Sequence, residues 1–185
     1  MKILIGCEYS GRVRDSFIKK GHDAISCDIL DTISPGPHYK GNVLDIINDN
    51  WDMGIFFPPC THLATSGARW FPFKQKEQKE AIDFFMKLVN SNIPKIAIEN
   101  PVGIMSTIYR KPDQIIEPYM FGESYNKKTC LWLKNLPKLV PTNIVNQGEY
   151  VIHGGKRIPK WYSNREIKRD LTFQGIADGM SSQWG

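Results

Sequence analysis

The chain has 185 residues, 41% of them hydrophobic and 23% charged, which suits a single ordinary globular domain with a real core. Lys and Arg total 24 against 19 Asp and Glu, and this net charge of +5 fits an anionic partner such as nucleic acid or a nucleotide. No apolar stretch nears the roughly 20 residues of a membrane span, and MKILIGCEYSGR lacks the build of a signal peptide, so a cytoplasmic protein without membrane contact is expected.

In chain order, KILIGC (2–7) is a short apolar run that predicts a strand, and EYSG after it predicts a turn. Val13, Phe17 and Ile18 recur at helical spacing, with Gly21 as the C-cap. AISCD predicts a second strand ending at Asp28, DTISPGPHYKGN a loop by its Pro and Gly content, and NVLDI a short strand or turn. MGIFF matches a buried strand. Residues 76–90 carry the clearest helix, with Ala81, Phe84, Phe85, Leu88 and Val89 on one face. KIAIEN and TCLWL predict further strands, and FQGIADGMSSQW a terminal helix. Strands alternating with helices predict an α/β fold with a mostly parallel sheet, in one domain over 1–185.

Ligands of such sheets bind at the carboxyl ends of strands, and that rule gathers Cys7 to Gly11, Asp28, Asp45, Cys60 and Glu99 along one edge. The first strand, its turn and helix, and a second strand ending in Asp28 have the layout of a nucleoside site, where a carboxylate accepts ribose hydroxyls. An ordinary βαβ unit with an incidental Asp has the same pattern. Asp45 is either a ligand for an adenine edge or a helix N-cap before Ile46 and Ile47.

Cys60 lies in FFPPCTHLATSGAR, one step beyond an apolar run and behind two prolines. Burial inside the run would silence a thiol, whereas a rigid, partly exposed position suits a nucleophile; a plain buried cysteine is the alternative. Glu99 ends KIAIEN, where an apolar setting raises a carboxyl's pKa and lets it donate a proton at neutral pH; the alternative is a turn carboxylate. Residues 153–170, HGGKRIPKWYSNREIKRD, interleave Lys156, Arg157, Lys160, Arg165, Lys168 and Arg169 with Trp161 and Tyr162, a pattern suited either to phosphates and unstacked bases or to a solvated loop. In RWFPF, Trp70 or Phe71 near a target base competes with simple packing of the rings, which is the expected role. The four histidines show no metal spacing, and no metal is expected.

Together the pieces resemble the cytosine-C5 methyltransferases that use S-adenosylmethionine. PPCTHLATSGAR is similar to that family's catalytic-cysteine motif, Pro-Cys followed by an apolar residue, a small one and Gly-x-Arg. IENPVGIMS is similar to its Glu-Asn-Val-x-Gly-Leu-x-Ser motif with proline for the valine, and FGESYNKKTCLWL is more distantly similar to its Gln-x-Arg-x-Arg segment. The resemblance implies a Rossmann-like S-adenosylmethionine-dependent methyltransferase fold with helices on both faces of the sheet. It implies Cys60 as the nucleophile adding to C6 of cytosine and Glu99 as the group at N3. It also implies a cofactor site at Cys7, Glu8, Ser10, Gly11, Asp28, Ile29, Asp45 and Pro58. Substrate would meet Pro59, Arg69, Asn100, Lys127, Lys128, Lys156, Arg157, Trp161 and Arg165. The chain departs from the family at the cofactor turn, CEYSGR, and in the lysines that replace paired arginines. It also leaves little room for a target-recognition region, so the implied substrate is DNA read loosely or through a partner protein. A free pyrimidine nucleotide such as dCMP is the second expectation, and a nucleic-acid or nucleotide-binding module without catalysis the third.

Overall fold

A computed structural model describes residues 1–163 and 170–185. Its centre is β1 (Lys2–Gly6), where Ile3, Leu4 and Ile5 are all buried. Successive side chains of a strand point to opposite faces, so a run buried throughout belongs to a sheet covered on both. Ile3 and Ile5 join a core with Val13 and Phe17 of α1 (Arg12–Lys19), whereas Leu4 joins one with Phe85 and Leu88, which lie on another helix. Each such side chain contributes about 1.5–3 kcal/mol when fully buried.

On one side of β1 lies β2 (Asp23–Asp28), and beyond it β3 (His38–Lys40). On the other side β4 (Met53–Phe56) is followed, after α2 (Gln75–Val89), by β5 (Lys95–Pro101), and these five strands are parallel. A short α3 (Met105–Ile108) and β6 (Gln114–Ile116) precede β7 (Thr129–Lys134), which runs antiparallel to both β5 and β6. The sheet order is β3-β2-β1-β4-β5-β7-β6. A separate antiparallel hairpin, β8 (Tyr150–His153) and β9 (Lys156–Pro159), stands outside it, and α4 (Gln174–Trp184) packs beside α1. Ser16 Oγ ties those two helices by donating to Asp178 at 2.7 Å.

The mostly parallel α/β sheet agrees with the sequence pattern, and several local readings are corrected. Residues expected to form a loop after Asp28 hold the edge strand β3, whose three residues pair only with Ser26, Cys27 and Asp28. NVLDI is a 3-10 turn, Val43–Asp45, and its cap is Asn42, whose side chain accepts from Leu44 N at 3.0 Å, so Asp45 closes the turn and does not open it. Of the two rings of RWFPF expected to pack, Phe71 is half-buried, whereas Trp70 reaches solvent at 55% exposed.

Register brings the strand ends to one level. Gly6 pairs with both Cys27 and Phe56, and Phe56 with Ile98, so the carboxyl ends of β1, β2 and β4 finish together while β5 continues past them to Pro101. Because β7 runs the other way, its first residue, Thr129, pairs with Pro101 at the same edge.

Candidate active site

At the end of β1 the chain turns sharply: Cys7 takes a left-handed conformation, φ 58°, and Gly11 another, φ 80°, as it opens α1. A side chain at Gly11 would strike the Arg14 guanidinium, which fills the space behind the turn. Within the turn Ser10 Oγ donates to the buried Glu8 carboxylate and accepts from Arg12 N at 3.2 Å. Burial raises the Glu8 carboxyl above its ordinary value, with the Ser10 hydrogen bond acting against it. The Cys7 thiol is pushed up to about 12, by burial first and the Asp28 charge second, so it is inert at neutral pH.

The Cys60 loop grows from the end of β4. Phe57 N donates to Gly6 O at 3.0 Å, and the buried Asn100 donates to Pro58 O at 2.8 Å, fixing both sides of the double proline. Leu63 N and Ala64 N both return to Cys60 O, at 3.0 and 2.9 Å, so the chain reverses immediately after the cysteine. It then docks on the continuation of β5: Ile104 N donates to Leu63 O at 2.9 Å, and Ala64 forms a bridge with Gly103. A Cβ on Gly103 would sit 2.2 Å from Leu63 O, so glycine is what allows this approach.

These elements enclose a cavity of about 300 Å³ at the level strand ends. Cys7, Tyr9, Asp28 and Leu30 form one wall, residues 57–61 with Cys60 the next, then Glu99 and Pro101 from β5 and Lys127 and Thr129 from the entry to β7. Asp170 to Phe173 and Ile176 complete it. Tyr9 donates to Asp170 at 2.6 Å and Arg12 donates to Thr172 O at 2.8 Å, so the first turn and the approach to α4 are tied together around the opening.

The electrostatics centre on Cys60, Glu99 and Lys127. Burial raises the Glu99 carboxyl, while the Lys127 charge and a hydrogen bond from Thr129 oppose that rise. Cys60, partly exposed, is raised by burial and then by the Glu99 charge, with Lys127 pulling it back. A cation beside both groups favours thiolate and carboxylate alike.

The structure therefore places Cys60, Glu99, Cys7, Asp28, Pro58, Pro59 and Lys127 on one cavity. Glu8, Ser10 and Gly11 do not line it; their side chains and backbone build the turn beneath. Ile29, 73% exposed, and Asp45 also lie off its wall, as do the exposed Arg69, Lys128, Lys156 and Arg157. Asn100 supports the wall from behind. Trp161, expected to stack on a base, is buried at 6%, with its indole N–H directed to the Asn126 side-chain oxygen at 3.2 Å and its ring edge-on to Tyr125 and Phe173. It anchors the hairpin to the protein body. Arg165 lies outside the described residues. Sequence reasoning reached Tyr9 only as part of the turn from Cys7 to Gly11 and gave no role to Thr129 or Phe173; only the antiparallel pairing of β7 and the packing of α4 bring the last two to the edge. Among the described residues no helix is long and apolar enough to cross a membrane, and no three His, Cys, Asp or Glu side chains group as metal ligands.

No family model and no curated protein matches the chain. Among solved structures it is similar to the methyltransferase EhMeth of Entamoeba histolytica, at 14% identity and a TM-score of 0.54 over 77% of this chain and 57% of that one. The chain thus spans little more than half the length of that structure. The likeness and the sheet order define the Rossmann-like methyltransferase fold.

Proposed function

We propose that the protein transfers a methyl group from S-adenosylmethionine to C5 of cytosine in DNA through a covalent bond to Cys60. The observation that carries this reading is that Cys60 and Glu99 line a single cavity together with the strand ends Cys7 and Asp28. The donor set suits that cofactor. Carboxylates at Asp28 and Asp170 favour a cationic, hydroxyl-bearing ligand over a phosphate, and Leu30, Phe57 and Ile176 give apolar surface for a base. S-adenosylmethionine, when bound, supplies an electrophilic methyl group.

The chain's own residues account for the remaining chemistry. Cys60 gives up its proton to water and its sulfur bonds to C6 of the pyrimidine, moving the C5–C6 electron pair to C5. Glu99, whose carboxyl burial raises above its ordinary value, hydrogen-bonds N3 as the protonated acid and relieves the negative charge on the ring. Once C5 carries the methyl group, its proton leaves to water, the C5–C6 double bond re-forms and Cys60 departs. Lys127 offsets the charge of the thiolate as it forms and as it departs. A base inside a duplex must leave the stack to reach such a cavity.

Incubation with methyl-labelled cofactor and DNA of varied sequence, followed by digestion to nucleosides, tests the reading. We expect labelled 5-methylcytosine, and a stable adduct through Cys60 on DNA containing 5-fluorocytosine that Cys60→Ser abolishes. Methylation of dCMP but not DNA moves the substrate to free nucleotides; absence of both product and adduct overturns the proposal.

A further inference from the structure

The 3-10 segment Thr65–Phe73 follows the Cys60 loop directly, and none of its residues is buried. It is nevertheless firmly attached. Thr65 donates to Val102 O through both its amide and its hydroxyl, at 3.1 Å each, and Gln78 at the start of α2 donates to His62 O at 3.1 Å. Three residues make one turn of such a helix, so Trp70 and Phe73 rise on the same side, one above the other. They are 55% and 78% exposed, whereas Trp51, Trp132, Trp161 and Trp184 are each 8% exposed or less. Large rings are normally hidden, and two presented together on a tethered segment mark a contact surface.

The chemistry of the surroundings selects the partner. Residues 69–76, RWFPFKQK, contain Arg69, Lys74 and Lys76 and no acidic residue. The Arg69 guanidinium lies 5.1 Å from the centre of the Trp70 ring. Lys74 meets Glu77 at 3.0 Å. Aromatic faces interleaved with cations bind unpaired nucleobases by stacking and their phosphates by charge. We propose that Trp70 and Phe73 are a stacking platform for unpaired bases flanking the target, with Arg69 and Lys76 on the adjoining phosphates. The proposal rests on the reading of the cavity as a site for nucleic acid, and it makes single-stranded or locally opened DNA the preferred form.

Trp70 is the exposed tryptophan, so intrinsic emission reports on this patch. The full chain is titrated with a labelled single-stranded deoxyoligonucleotide and with its duplex, following emission and anisotropy together. We expect quenching that tracks binding, tighter binding of the single strand, and loss of the quenching in Trp70→Leu. The double variant Trp70→Leu, Phe73→Leu should bind roughly 10- to 100-fold more weakly, and Trp70→Phe should restore most of the affinity. Equal affinity of the double variant and the parent overturns the proposal, as does unchanged emission at saturation. Self-association of the parent that the double variant loses also overturns it, since the rings then cover a second copy of the chain. The adduct assay separates the two readings. An adduct at Cys60 with an unaffected double variant leaves the chemistry standing without the platform; weakened binding by the double variant with no adduct in the parent leaves the platform standing without the chemistry.

Discussion

The guanidinium of Arg14, with no exposed surface, donates to the carbonyl of Ser34 at 2.8 Å. The same side chain reaches Ser26 Oγ at 3.0 Å, Thr32 Oγ1 at 3.3 Å and the Asp15 carboxylate at 2.8 Å, and Asp15 in turn accepts from Ser34 Oγ at 2.6 Å. One buried cation thus organises the loop after Asp28, whose Leu30 lines the cavity. Arg14→Met leaves those carbonyls and hydroxyls without their donor. We expect a loss of about 3 kcal/mol, moderated because Asp15 is partly exposed. For a chain of this size that lowers Tm by on the order of 10 °C in a thermal melt, and a shift below a quarter of that would show that the network is dispensable.

Lys127 is expected to set the reactivity of Cys60. Removing its charge in Lys127→Met takes away the larger of the two influences that oppose burial and Glu99, so the thiol rises further and alkylation at fixed mildly alkaline pH slows roughly threefold or more. Glu99→Gln has the opposite sign, since it removes the anion beside the sulfur. Mass spectrometry of iodoacetamide labelling against pH reads both shifts at Cys60. Cys7 and Cys27, each pushed up to about 12, stay silent and serve as internal references. Superimposable profiles for the three proteins would disprove the coupling.

How much of this is legible in the sequence depends on which residues carry their own signal. KILIG, MGIF and KIAIE are continuous apolar runs because their strands are buried on both faces, and the level register of those strands makes strand-end residues into neighbours. β3 leaves no such trace: a three-residue edge strand between prolines and glycine buries little. Trp161 misleads for a related reason. Lys156, Arg157 and Lys160 are exposed while the indole turns inward, and neighbouring residues in sequence do not disclose that. Glu8 and Ser10 stand where a turn's ligand contacts are expected, but their mutual hydrogen bond occupies them underneath it.

Glu99 should impose a pH dependence on stability. Its folded-state pKa lies above the unfolded one, so the folded protein holds the proton more tightly. Stability from this source is full below the ordinary carboxyl range and declines as pH rises through the raised value. Glu99→Gln carries no such decline. Urea denaturation at about pH 4 and about pH 8 should show the variant gaining on the parent only at the higher pH, while adduct formation is lost at both. A gain of equal size at the two pH values would contradict the assignment.

Gly103→Ala tests the contact between the cysteine loop and β5. With Leu63 O only 2.2 Å from the new methyl group, loop and strand must separate. We expect about 1–3 kcal/mol of destabilisation in urea and a disproportionate fall in the rate of adduct formation, because Cys60 and Glu99 are displaced relative to each other. Adduct formation at the parent rate would show that the cavity tolerates the displacement.

The reversed direction of β7 has a consequence for how this protein can change. Thr129 pairs with Pro101 and Leu131 with Glu99, and Lys127 enters the cavity just ahead of that ladder. Sliding β7 by a single position would exchange the faces of all its side chains and carry the ammonium about 3.4 Å along the rim. Gain or loss of one residue between 122 and 128 would therefore retune sulfur and carboxyl together without touching either. Length variation there is a dial on reactivity, whereas the same change in the outlying hairpin would leave the pairing of β5 and β7 untouched.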